Sequence, residues 1–255
     1  MNSFSIMFAA LLILSGCAGR PDYTLSPPPS TEWFTIAVKL PAQMEVGPMD
    51  VLYRSEKCQR KDYDSTVESH IRQERGYNPQ VVRMNLEQGG NLWRKRIAID
   101  GGGGCDWKLS TVRVDIKLSG NLPITQGKNI TSASYVFGFD DEIYAGGGLP
   151  GKRKDAPADL HIKTKFFPVV YVNRLFNKVD VDIFAGNTDS LKWSRNFRVN
   201  SEREAFIEPE LNLDKVVSME SPISPSGKVT VIYPDGTTMK IKGVYPDYEK
   251  LLSIK

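Results

Sequence analysis

The chain has 255 residues, 40% of them hydrophobic and 10% aromatic, enough apolar material for a packed core and too much for bulk disorder. Its 33 basic and 30 acidic residues leave a net charge of only +3, without the basic excess of a dedicated nucleic-acid binder. No nucleic-acid partner is expected.

The first element is an apolar run that begins at Phe4 and closes on Leu14-Ser15-Gly16-Cys17. It is shorter than the roughly 20 apolar residues of a membrane-spanning helix and fits the core of a secretory signal. The closing tetrad resembles the lipobox of bacterial lipoproteins, although no basic residue precedes Arg20. That resemblance implies a signal peptide over residues 1–16, cleavage before Cys17, and acylation such as palmitate on the mature N-terminal cysteine. Residues 17–31 then form a lipidated Pro-rich tether. Pro27, Pro28 and Pro29 favour extended polyproline of about 3.1 Å per residue, a spacer between bilayer and body. Ala18, where an Asp would signal inner-membrane retention in such lipoproteins, implies the outer membrane, facing the periplasm.

From Trp33 onward, period-2 alternation with β-branched and aromatic residues predicts strands. In chain order they are Trp33–Leu40, Asp50–Arg54, Val81–Leu86, Leu92–Asp100, Lys108–Leu118, Ser132–Phe139, Asp159–Lys165, Val169–Asn173, Lys178–Phe184, Leu191–Val199 and Leu213–Ser218. Lys108–Leu118 sets Ser110, Val112, Val114, Ile116 and Leu118 on one face, against charged residues on the other. Val229–Tyr233 and Thr237–Val244 flank Pro234-Asp235-Gly236, where Pro presets φ and Gly accepts positive φ, so a hairpin is expected. Helix is scarce. Ser65–Arg75 has capping residues at its start and Gly76 as a stop, and Asp247–Ile254 predicts a short terminal helix. The body, residues 32–255, is therefore mainly β: an antiparallel β-sandwich or two stacked β units with little helix, as one body or as two subdomains divided near 120–160.

Of three cysteines, lipidation consumes Cys17, leaving Cys58 and Cys105. An even remainder in an exported chain predicts one disulfide in the oxidising periplasm, with two buried thiols as the alternative. Two distant Cys and two distant His, His70 and His161, offer none of the short spacings of a zinc site. No metal or other cofactor is expected.

Hydrolytic chemistry has no signature here. There is no Gly-x-Ser-x-Gly elbow and no Ser-x-x-Lys. His161 lies in an alternating strand and His70 on a charged helical stretch. Gly146 and Gly151-Lys152 have the spacing of a phosphate loop, yet Arg153 stands where Ser or Thr would hold Mg²⁺, and Lys154-Asp155-Ala156-Pro157 is poor helix sequence. No enzyme activity is expected. Gly101-Gly102-Gly103-Gly104 reads as a hinge or wide turn between strands, and four glycines also leave room for a partner's backbone to approach closely.

The stretch from Asp140 to Pro157 is the expected recognition loop. It is long and Gly-rich, with an acidic start, a central Tyr144 and Leu149, and a basic Lys152-Arg153-Lys154. Loops of this length in compact domains are usually functional or disordered, and a floppy tip with no role is the alternative. Asp140, Asp141, Tyr144, Leu149 and Arg153 are the candidate partner-binding residues, because Tyr and Arg often dominate protein interfaces.

The lipobox, the Pro-rich tether, the β-rich body and the strand Val51-Leu52-Tyr53-Arg54-Ser55-Glu56-Lys57-Cys58 together resemble lipoprotein immunity proteins that neutralise phospholipase effectors of type VI secretion. The resemblance implies a periplasm-facing inhibitor that binds a toxic lipase and blocks its substrate entry. The alternative is a structural lipoprotein subunit of a cell-envelope assembly.

Overall fold

The computed structural model describes residues 21–63, 71–141, 154–156, 160–186, 188–189, 192–224 and 226–255. In chain order its strands are β1 (Trp33–Lys39), β2 (Met44–Val46), β3 (Met49–Tyr63), β4 (Ile71–Val82), β5 (Asn85–Leu86), β6 (Leu92–Ala98), β7 (Asp100–Gly102), β8 (Trp107–Leu118), β9 (Asn129–Ile130) and β10 (Ala133–Gly138). They continue with β11 (Lys154–Asp155), β12 (His161–Asn173), β13 (Lys178–Phe184), β14 (Thr188–Asp189), β15 (Lys192–Arg198), β16 (Glu204–Leu211), β17 (Val217–Glu220), β18 (Val229–Ile232) and β19 (Thr238–Ile241), before a short helix α1 (Tyr248–Ser253).

These strands form two sheets that pack against each other as a β-sandwich. One runs β11-β15-β10-β8-β3-β4, with β2 and β7 on β8 and β14 on β15. The other runs β19-β18-β17-β12-β16-β1-β6-β5, with β13 on β12 and β9 on β13. Both are mixed rather than wholly antiparallel: β1 and β12 pair parallel to β16, β12 parallel to β17, and β10 parallel to β15. β8 realises its alternation, with Val112, Val114, Ile116 and Leu118 fully buried and Arg113, Asp115 and Lys117 facing outward.

Two departures from the expected strands follow from parallel pairing. β16 carries Glu204, Glu208, Glu210 and Pro209, a poor strand composition, yet it lies between β1 and β12 with Ala205 and Ile207 fully buried. Val169–Asn173 is not a separate strand but the second half of β12, which runs straight through Pro168. Pro168 is tolerated because β16 pairs only as far as Phe166 and β17 begins at Val169. The missing N–H thus falls where one parallel partner hands over to the next. At the same point the strand buries both faces: Phe166 enters the main core between the sheets, and Phe167 enters a second core with Val217, Met219, Val231, Tyr233 and Leu251.

The expected helix over Ser65–Arg75 is corrected for its described part. Ile71–Arg75 belongs to β4, paired antiparallel to β3, because the long-range ladder outweighs local capping signals. Of the predicted strand Val81–Leu86, Val81 and Val82 end β4 and Asn85–Leu86 forms β5, and Leu213–Ser218 is displaced to β17, Val217–Glu220. The β18–β19 hairpin turns at Gly236, φ +80°. α1 is capped by the Asp247 carboxylate, which accepts from the Lys250 N–H, and Leu251 is its buried anchor.

Candidate protein interface

β3 and β4 make the longest hairpin, and its outer part is an arm. Pairing runs from Met49↔Val82 to Ser55↔Gly76, shifts register, and resumes from Arg60↔Glu74 to Tyr63↔Ile71. In the shift the β3 backbone loops over Gly76. A Cβ there would lie 2.1 Å from the Cys58 carbonyl oxygen, so only glycine fits. The predicted disulfide clamps this base: Cys58 is bonded to Cys105, 47 positions away. The buried Ser55 hydroxyl secures both half-cystines, accepting from the Cys58 N–H and donating to the Cys105 carbonyl. Just beyond, the Arg54 and Arg60 guanidinium groups lie 5.6 and 5.4 Å from the Tyr77 ring centre, and Arg60 pairs with Glu74 at 2.9 Å.

Two of the predicted recognition residues meet this arm or its neighbour. Asp140 accepts from Arg75 Nη2 at 2.8 Å, and the same guanidinium lies 3.5 Å from Glu56. Asp141, 87% exposed, pairs with Arg198 at 2.9 Å. Tyr144, Leu149 and Arg153 lie outside the described residues, as does the lipidation candidate Cys17. Sequence reading missed Arg75, Gly76 and Tyr77 by assigning Glu74-Arg75-Gly76 to the end of a helix.

From Asp22 onward the Pro-rich segment docks on the body beside the arm. Trp107 Nε1 donates to the Asp22 carbonyl at 2.8 Å, and the Tyr23 ring stacks on Trp107 at 6.0 Å between centres. Asn78 Nδ2 donates to the Tyr23 carbonyl at 3.0 Å, and the Ser26 N–H donates to the Gly101 carbonyl at 2.8 Å. Gly102 and Gly103 adopt φ of +55° and +75°. A Cβ on either would sit 2.2 Å from the Ser26 carbonyl oxygen or 2.3 Å from that of Thr24. The glycine run is approached closely by the chain's own N-terminal strap rather than by a partner's backbone.

Two other features carry chemistry. On the outer face of the β1–β16–β12 strands, the Glu208 carboxylate lies 3.0 Å from Lys39 Nζ, 3.0 Å from His161 Nε2 and 3.6 Å from Lys163 Nζ. Hydrogen bonds from Lys39 and then His161 pull its pKa down to about 2, so it is the permanently charged hub of a cationic cluster. Elsewhere, a cavity of about 370 Å³ opens between Tyr245 and the β12–β13 face, floored by Val169, Phe184 and Met219 and rimmed by Lys178 and Asp180. It has room for one large apolar group. Among the described residues, no group of three or more His, Cys, Asp or Glu side chains could hold a metal ion, and no helix is long and apolar enough to cross a membrane.

No family model, curated protein or solved structure matches this chain.

Proposed function

We propose that the chain is a lipid-anchored protein of the outer membrane that faces the periplasm and works by stoichiometric binding, as an immunity protein that blocks a phospholipase effector. The observation that carries this reading is the arm: a projecting hairpin clamped by the Cys58–Cys105 bridge and tied through Arg75 to Asp140, where the expected recognition loop begins. A hairpin preordered in this way loses little entropy on docking, which favours tight binding. The lipobox resemblance supports this reading, because a lipid anchor would hold the inhibitor on the membrane that a lipase attacks and raise local concentration without new contacts.

The test has two parts. Mass spectrometry of the mature native chain should find acyl groups on Cys17, and Cys17→Ser should release the protein from membranes. The purified chain, titrated against the lipase that co-purifies with it, should abolish vesicle hydrolysis at one equivalent. A multi-subunit envelope complex in place of a lipase would replace inhibition by an assembly role, and lipid turnover by the chain itself would overturn the reading.

A further inference from the structure

The strap, the arm and the Asp140 tie all lie at one end of the sandwich. β1 leaves the strap at this end, β8 enters from it at Trp107, and β10 and β15 both run into it, ending near Asp140 and Arg198. β12 runs parallel to β16, itself parallel to β1, so its far end points the other way. There the turn after β12 exposes Leu175 and Phe176, 59% and 74% accessible. Twelve strand steps from His161 put that turn on the order of 40 Å along β12 from the strap end.

The anchor position follows from chain length. A free polyproline segment from Cys17 to Thr31 would let the body stand about 45 Å from the bilayer. Docked at Asp22, the leash has only the five residues after Cys17, a reach of at most about 18 Å. The arm from Gly76 to Ile71 projects by about 17 Å, a matching length.

We infer that the strap fixes the molecule's orientation, so that the end bearing the arm, Asp140 and Asp141 faces the bilayer at close range and the surface there engages a protein that is itself seated on that bilayer. The inference rests on Cys17 being the anchored residue. It deepens the proposed function by specifying where on the chain the partner docks and that the partner docks while membrane-bound. The described side chains of this end are of both signs, with Arg60, Lys61 and Arg198 beside Glu74, Asp140 and Asp141. A cationic patch for anionic lipid would be of one sign, whereas a mixed surface suits a protein.

The experiment couples the mature full chain through Cys17, its one free thiol while the disulfide is intact, to a maleimide lipid in neutral vesicles. A fluorophore is placed by a click-reactive residue at Lys61 or at Phe176, and energy transfer to an acceptor lipid is read. Transfer from position 61 should exceed that from position 176 several-fold. Inserting 14 Gly/Ser residues between Cys17 and Asp22 should erase most of the difference while leaving the melting curve unchanged. Equal transfer from both positions, or stronger transfer from 176, would overturn the orientation. Because the coupling is chemical, this outcome is separate from the acyl analysis of native Cys17, which tests the anchor alone. Partner position is read in the same vesicles: the lipase, added after binding to the bilayer, should cut transfer or cross-link at position 61 and not at 176.

Discussion

Arg75 and Asp140 meet at 2.8 Å across 65 positions of sequence, and each side chain is about three-quarters buried, 24% and 21% exposed. The pair joins two pieces of chain that share no strand pairing, β4 and the segment leaving β10, and so ties the arm to Asp140. A partly buried, charge-assisted pair is worth more than a surface bridge. A double-mutant cycle with Arg75→Ala and Asp140→Ala, read by denaturant unfolding, should give a coupling of about 1 kcal/mol. Zero coupling would mean that this pair does not help to hold the arm.

The disulfide and Ser55 form one clamp. Closing a loop of 47 positions stabilises by about 3–4 kcal/mol on the chain-entropy account, so Cys58→Ser with Cys105→Ser should lower the melting temperature by many degrees. Ser55→Ala should cost about 1–3 kcal/mol with the bridge intact, because it orphans the Cys58 N–H and the Cys105 carbonyl together. A Ser55→Ala protein as stable as wild type would show that water replaces the hydroxyl.

Gly76→Ala tests the β3 bulge. The new methyl would meet the Cys58 carbonyl at 2.1 Å, backbone that cannot swing aside as a side chain can. Unfolding should become easier by about 1–3 kcal/mol, with the disulfide still formed on non-reducing gels. Unaltered stability would mean that the bulge is loosely held.

Much of the fold was legible because it is local. Val112, Val114 and Ile116 announce β8 by alternation, Pro234-Asp235-Gly236 announces its hairpin, and Asp247 announces α1. What was hidden depends on distant partners. β16 has three glutamates and Pro209, and nothing within it shows that β1 and β12 flank it. Pro168 looks like a break unless the handover from β16 to β17 is known. The site divides the same way. The disulfide and the acidic start of the loop were readable from residue type. Arg75 and Arg198, which pair with Asp140 and Asp141, were not, because their roles arise only when β4 and β15 reach that end. The glycine run signalled room for a partner's backbone, and nothing local showed that the chain's own strap would fill it.

Glu208 makes stability depend on acid. Its pKa falls from the ordinary 4.5 to about 2, first through the Lys39 hydrogen bond and then through His161. A depressed folded-state pKa means that the stabilisation is complete above the unfolded value and is lost as pH falls through the folded one. The wild-type melting temperature should therefore drop more steeply than that of Glu208→Gln between about pH 4.5 and pH 2, with the gap widest at neutral pH. Half-exposed Lys39 keeps the effect modest. Parallel curves would place acid sensitivity in other carboxylates.

Binding should be lost at the arm end and kept at the far end. Arg60, Lys61 and Asp141 are charged, accessible and carried on a clamped hairpin or its neighbour, and none is in the apolar core. Interface anchors commonly contribute about 1–2 kcal/mol each or more, and every 1.4 kcal/mol is tenfold in affinity. Arg60→Ala, Lys61→Ala and Asp141→Ala together should weaken binding to the co-purified lipase by at least tenfold, with a melting curve close to wild type because surface substitutions cost little. Leu175→Ser with Phe176→Ser removes the largest exposed apolar pair at the opposite turn and should leave affinity unchanged. Inhibition of vesicle hydrolysis should follow the same order. If the Leu175–Phe176 variant loses binding while the arm variant keeps it, the docking surface belongs at the membrane-distal end, and the arm is a structural brace.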